Sequence, residues 1–111
     1  MPRDAGLTRL RRTVVAIAKQ FDAAAIGYMV IGGMAQVVWG EPRATTDVDF
    51  TVGVGVEHAQ ELVRALRGEI KVIPHDLQAY LAGGVFPFTH RTGVHVDLLL
   101  SRHPYARLAI E

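Results

Sequence analysis

The sequence predicts an α/β (α+β) domain in which a short, mixed, strongly twisted sheet carries helices packed mainly on one side. Three observations predict it. Apolar residues recur at helical spacing in two separated segments, 8–25 and 57–66. Short apolar or alternating runs at 28–31, 47–52 and 69–73 close on Gly or Pro, as strands do. The segment 85–100 reads as two strands about the turn Arg91-Thr92-Gly93.

Bulk properties narrow the class. The chain has 111 residues, enough for one core and one domain over 1–111. Half of it is hydrophobic and 21% is charged, which excludes a disordered polyelectrolyte. With no Cys there is no disulfide framework and no thiolate metal site, so any metal is held by oxygen or imidazole. Near the start the longest apolar run, 14–18, stops at Lys19, too short for a signal-peptide core or a membrane span. The expectation is therefore a cytoplasmic protein without a membrane partner. A formal charge of +1 offers no global attraction to nucleic acid, and the local cluster Arg3, Arg9, Arg11 and Arg12 reads as a solvated helix face.

Taken in order, Leu10, Val14, Ile17, Ala18 and Phe21 make the stripe of a first helix, 8–25, with Thr8 as N-cap and Gly27 as stop. Residues 28–31 form a buried strand that runs into the tight turn of Gly32 and Gly33. A short helix over 34–39 and a polar loop over 41–46 lead to a strand over 47–52. There Val48, Phe50 and Val52 share one face and Asp47, Asp49 and Thr51 the other. A second helix, 57–66, presents Ala59, Leu62, Val63 and Leu66. A strand over 69–73 ends at Pro74, and Asp76 caps a short helix reaching Ala82. The hairpin 85–90/94–100 places Gly93 where a positive φ is needed, and 104–111 begins a further helix whose apolar face invites a homodimer.

The aspartates carry the functional argument. Two carboxylates one residue apart lie about 7 Å from each other along a strand face, and burying like charges there is costly without a cation between them. On the later strand His95, Asp97 and Leu99 share a face, so Asp97 can join the cluster if the two strands pair. Three carboxylates and retained water suit Mg²⁺ (or Mn²⁺), and paired ions roughly 3.5–4 Å apart are what in-line nucleotidyl transfer employs. Gly32 and Gly33 let backbone amides approach a triphosphate without a side chain in the way. Arg43 and Thr46, in the loop before the aspartates, are further candidates for phosphate.

Blander readings stand beside each. The aspartates also fit an exposed edge pair or a cap bridged to Arg43, and the glycines an ordinary strand-to-helix turn. Arg43 can pair with Glu41, Thr45 and Thr46 can stabilise the turn, and His95 can be a satisfied structural histidine. Tyr80, Phe86 and Phe88 are candidates for stacking a nucleobase, though nothing in the sequence orients them. Gly53-Val54-Gly55 lacks the third Gly of a dinucleotide fingerprint.

Together, Ile31-Gly32-Gly33, Asp47-Val48-Asp49-Phe50 and Val96-Asp97-Leu98 resemble the nucleotidyltransferase superfamily of DNA polymerase beta. Within it, the phrase IGGMAQVVWGEPRATTDVDF is most similar to small AbiEii-like and MNT-like prokaryotic domains, often toxin–antitoxin components. The resemblance implies the minimal nucleotidyltransferase fold. It implies Asp47 and Asp49 as ligands of both metals, Asp97 completing the second site and helping to activate an acceptor hydroxyl, and Gly32 and Gly33 holding nucleotide phosphates. It further implies a nucleoside triphosphate as donor, an RNA, protein or small-molecule acceptor, and a cognate toxin or antitoxin as partner. Two features depart from the pattern: Gly33 stands where many members have Ser, and the helical second domain of larger members does not follow by Glu111. The alternative is a nucleotide- or partner-binding module of a toxin–antitoxin pair with weak catalysis.

Overall fold

The computed structural model of the chain describes residues 2–31 and 47–101, with side chains from Thr8 onward. The expected helix 34–39, the loop 41–46 and the helix beginning at 104, and with them Gly32, Gly33, Arg43 and Thr46, lie outside the described residues.

Helix α1 (Pro2–Ala23) opens the chain, followed by β1 (Tyr28–Ile31) and β2 (Asp47–Gly55). A 3-10 turn over Val56–His58 leads into α2 (Ala59–Ala65), then β3 (Ile70–Val72), α3 (Leu77–Ala82), β4 (Val85–His90) and β5 (His95–Ser101). The five strands form one mixed sheet in the order β1-β2-β5-β4-β3, in which β2 and β5 are parallel and every other pairing is antiparallel. The α/β class and the mixed sheet are as the sequence predicts.

Period-2 alternation is what gives the sheet its two faces. Val48, Phe50 and Val52 of β2 and Val96, Leu98 and Leu100 of β5 point into the core, joined from β4 by Phe86 and Phe88. Helix α1 lays Leu10, Ile17 and Phe21 on this face, and α2 adds Leu62 and Leu66. At its centre Phe21 meets Phe50 edge-on at 5.9 Å, positive ring edge against negative ring face, and lies tilted against Tyr28 at 5.6 Å. The core therefore accounts for Phe86 and Phe88, which are buried and unable to stack a nucleobase; Tyr80 is 45% exposed.

Several boundaries differ from expectation. Helix α1 begins at Pro2 and Thr8 lies within it, because Pro supplies the preset φ and absent N–H that suit a first turn. It ends before Gly27. The Ile26 N–H donates to the Phe21 carbonyl at 2.9 Å and the Ala25 N–H to that of Asp22 at 3.2 Å, with Ala25 at φ 58°. This is a Schellman closure in which Ala occupies the left-handed position usually given to Gly, and buried Ile26 provides its apolar contact.

Strand β2 continues three residues past Val52 through a register irregularity between Val52 and Gly55. The extension is held by the Gly53 N–H donating to the Gly27 carbonyl at 2.8 Å and by the Ser101 hydroxyl donating to the Val52 carbonyl at 3.0 Å. At the second helix Leu62 and Leu66 face inward as predicted, but Val63 is 40% exposed, so the buried stripe is narrower than the sequence suggests. Strand β3 is only three residues long, an edge strand with Val72 exposed. Asp76 stands at the N-cap of α3 without a capping side-chain hydrogen bond. The hairpin turn has Gly93 at φ +92°, with its N–H donating to the His90 carbonyl at 2.8 Å, so the sequence placed this glycine correctly.

Candidate active site

The parallel pairing of β2 with β5 creates the site. Its register sets Asp49 opposite Asp97 and Asp47 opposite His95. Since Val48, Phe50, Val96 and Leu98 turn into the core, alternation puts Asp47, Asp49, His95 and Asp97 together on the other sheet face. Neighbouring strands lie about 4.8 Å apart and the two-residue step along a strand is about 6.6 Å, so four polar groups occupy one small rectangle. The sequence foresaw Asp97 joining the pair provided the strands paired; they do.

Electrostatics mark the rectangle. Burial, the Asp97 carboxylate and then the Asp47 carboxylate push the Asp49 carboxyl above its ordinary value, with His95 acting in the opposite direction. His95 Nε2 lies 3.0 Å from Asp97 Oδ1, their side chains 44% and 32% exposed. His95 therefore occupies the carboxylate face with a polar partner, which is a position both for a satisfied histidine and for one that tunes a reactive carboxylate.

The donor set, three carboxylates and an imidazole with no sulfur, suits a hard divalent cation, and a cation would relieve the like-charge crowding at Asp49. Among the described residues, no three of these side chains close into a ready-made metal cage. The backbone gathers Asp47, Asp49 and Asp97 on one face of the sheet.

A cavity of about 370 Å³ adjoins the site, lined by His95 and Asp97 together with Val72, Pro74, Tyr80 and Pro87. Pro87 faces Asp97 and Thr89 faces His95 across the β4–β5 ladder. Of the three aromatic candidates, only Tyr80 lines this cavity with an exposed side chain. Reasoning from sequence missed Val72, Pro74 and Pro87, whose contribution depends on the β3–β4–β5 order. Their one legible signal was the Pro at 87 within a strand, since Pro donates no ladder hydrogen bond.

Strand β1 ends with Ile31 opposite Asp49.

A second polar cluster, missed by sequence reasoning, lies on the opposite, α1-covered face. Fully buried His90 places Nε2 2.7 Å from Glu69 Oε1, and the Thr92 backbone N–H donates to His90 Nδ1 at 3.1 Å. With Nδ1 accepting, Nε2 carries the proton toward Glu69. The Thr92 hydroxyl meets that of Thr13 on α1, and Thr13 donates to the Arg9 carbonyl at 2.8 Å. Among the described residues every buried polar side-chain atom has a partner. This cluster ties α1 to the hairpin turn. Also among the described residues, no helix is long and apolar enough to cross a membrane.

Compared with family models, curated proteins and solved structures, the chain matches none of them.

Proposed function

We propose that this protein is a magnesium-dependent nucleotidyltransferase of the DNA polymerase beta kind, working in the cytoplasm. It transfers a nucleoside monophosphate from a nucleoside triphosphate to a hydroxyl acceptor on RNA, protein or a small molecule. The observation that carries the reading is the parallel β2–β5 register, which faces Asp49 with Asp97 and sets Asp47 and His95 beside them. A strand pair chosen only for stability would not oppose two carboxylates on neighbouring strands, because like charges directly across a ladder are destabilising.

In the proposed reaction the acceptor oxygen attacks the α-phosphorus, the bond to the bridging oxygen breaks, and pyrophosphate leaves with that electron pair. Asp97 takes the hydroxyl proton, and His95 Nε2, 3.0 Å away, orients its carboxylate. Asp47 and Asp49 would hold Mg²⁺ with Asp97, and the ion would neutralise triphosphate charge and favour in-line displacement. Gly32 and Gly33, with Arg43 and Thr46, are the proposed phosphate contacts. The cavity lined by Tyr80 and Pro87 gives the acceptor a place to lie against Asp97.

One observation favours a second reading, a nucleotide- or partner-binding module of a toxin–antitoxin pair: among the described residues no closed set of three metal ligands is preformed. Label transfer separates the two. The chain is incubated with each α-labelled nucleoside triphosphate, Mg²⁺ and separated RNA, protein and small-molecule fractions, beside Asp49→Asn. Labelled product that disappears in the variant supports transfer and names the acceptor class. Nucleotide binding with no labelled product in any fraction supports the module.

A further inference from the structure

A groove of about 430 Å³ runs between α1 and the β4–β5 turn, on the sheet face opposite the carboxylates. Arg11, Arg12, Lys19 and Arg91 line it, together with Glu69 and Thr92. Four cations thus line one groove in a protein whose formal charge is only +1, a local concentration of positive charge. The one carboxylate is already engaged: Glu69 Oε1 accepts from His90 Nε2 at 2.7 Å and from Arg91 Nε at 3.1 Å. Arg91 is thereby held by its Nε while its side chain remains 53% exposed, leaving its terminal nitrogens for a ligand.

The arrangement on the helix fixes the ligand's shape. Positions 11, 15 and 19, and 12, 16 and 20, are successive i,i+4 neighbours, so all six form one stripe beside the buried stripe of Leu10, Ile17 and Phe21. From 11 to 19 the stripe is about 12 Å long at 1.5 Å per residue, several times the ~3.4 Å rise per stacked nucleotide. That is too long for one phosphate group and suits successive phosphates of one strand. Val15, 51% exposed in the middle of the stripe, offers apolar contact to a base or sugar between them. Arg11 and Arg12, two of the four arginines that read in sequence as a solvated face, stand in one wall of this groove, and its other wall supplies Arg91.

We infer that this groove binds the phosphodiester backbone of a single-stranded nucleic acid. Thr92 precedes His95 by three residues, so the groove opens at the end of the sheet where the carboxylate rectangle begins. A strand bound there and turning round that end reaches Asp97. This last step rests on the transfer reading and makes the acceptor a nucleic acid; the binding itself does not depend on it.

The test is fluorescence anisotropy of the full chain with a short end-labelled single-stranded RNA across a salt series. The expected result is binding that weakens linearly in log salt. The double variant Arg12→Gln/Lys19→Gln should bind about tenfold or more weakly, with a salt slope smaller by about 1.4. Arg64→Gln, outside the groove, and Asp49→Asn should bind as the unaltered chain does, the latter keeping RNA binding separate from any loss of transfer. Circular dichroism checks that the double variant retains its helix. No binding at low salt, equal binding by a folded double variant, or displacement of RNA by inorganic phosphate at the same phosphate concentration overturns the inference.

Discussion

Replacing Asp49 with Asn should make the ligand-free protein more stable, the reverse of what most substitutions of partly buried residues do. Asp49 faces Asp97 across the ladder and has Asp47 two residues away, and burial adds to their effect in holding its carboxyl above the ordinary range. With the groups ~6 Å apart, each pair costs about 0.7 kcal/mol in a water-like medium and about 2.8 kcal/mol at an effective dielectric of 20. Both neighbours reach solvent, which places the interaction near the lower limit. Summed over two pairs, removal of the charge should stabilise by about 1.4 kcal/mol, about 6 °C in melting temperature for a domain of this size. The sign with pH follows from linkage. A carboxyl raised in the folded state binds its proton more readily folded than unfolded, so the penalty is absent below the unfolded value near 3.9 and grows as pH rises through the folded value. Urea melts of both proteins near neutral pH and again near pH 3.5, at low and high salt, read the effect. A variant equal to or less stable than the parent at neutral pH would refute the reasoning that charge is crowded there.

Ala25→Gly should stabilise by about 0.5–1 kcal/mol, since relief of the left-handed strain at φ 58° exceeds the added freedom of the unfolded chain; an unchanged or lower urea midpoint contradicts this. Phe50→Ala should cost about 3–5 kcal/mol, because Phe50 is fully buried against Phe21 and Tyr28, and a loss below 1 kcal/mol in the same melts would show that the ring cluster is not the centre of the core. Burial lowers the pKa of His90, outweighing the Glu69 carboxylate. Its contribution to stability is therefore complete above the unfolded value of about 6.5 and is lost as pH falls below it toward the lowered folded value. His90→Gln should flatten that part of the stability profile, and identical profiles for the two proteins would exclude His90 as the cause.

Local patterning made most of the fold legible. Strand alternation sufficed to put Val48 and Phe50 on the core face and Asp47 and Asp49 on the other, and a glycine at position 93 sufficed for the hairpin turn. The end of α1 was not legible, because the Schellman position holds Ala25 and the usual glycine signal appears two residues later. The joining of Asp97 to the aspartate pair was legible as a condition, since one-dimensional spacing does not reveal whether strands forty residues apart are neighbours. Their parallel register meets that condition. The Glu69–His90–Thr92–Thr13 cluster and the basic groove were invisible because their members come from α1, the approach to β3 and the hairpin turn. No periodicity within a single segment relates them.

The proposed transfer requires Asp97 to complete a cation site with Asp47 and Asp49 across the β2–β5 ladder. Thermal melting of the full chain and of Asp97→Asn, each titrated with Mg²⁺ in the presence of a nucleoside triphosphate, tests it directly, because a ligand bound only to the folded state must raise its stability. The melting temperature should climb with Mg²⁺ in the parent and stay nearly flat in the variant. Equal stabilisation of both proteins, or of neither, contradicts it.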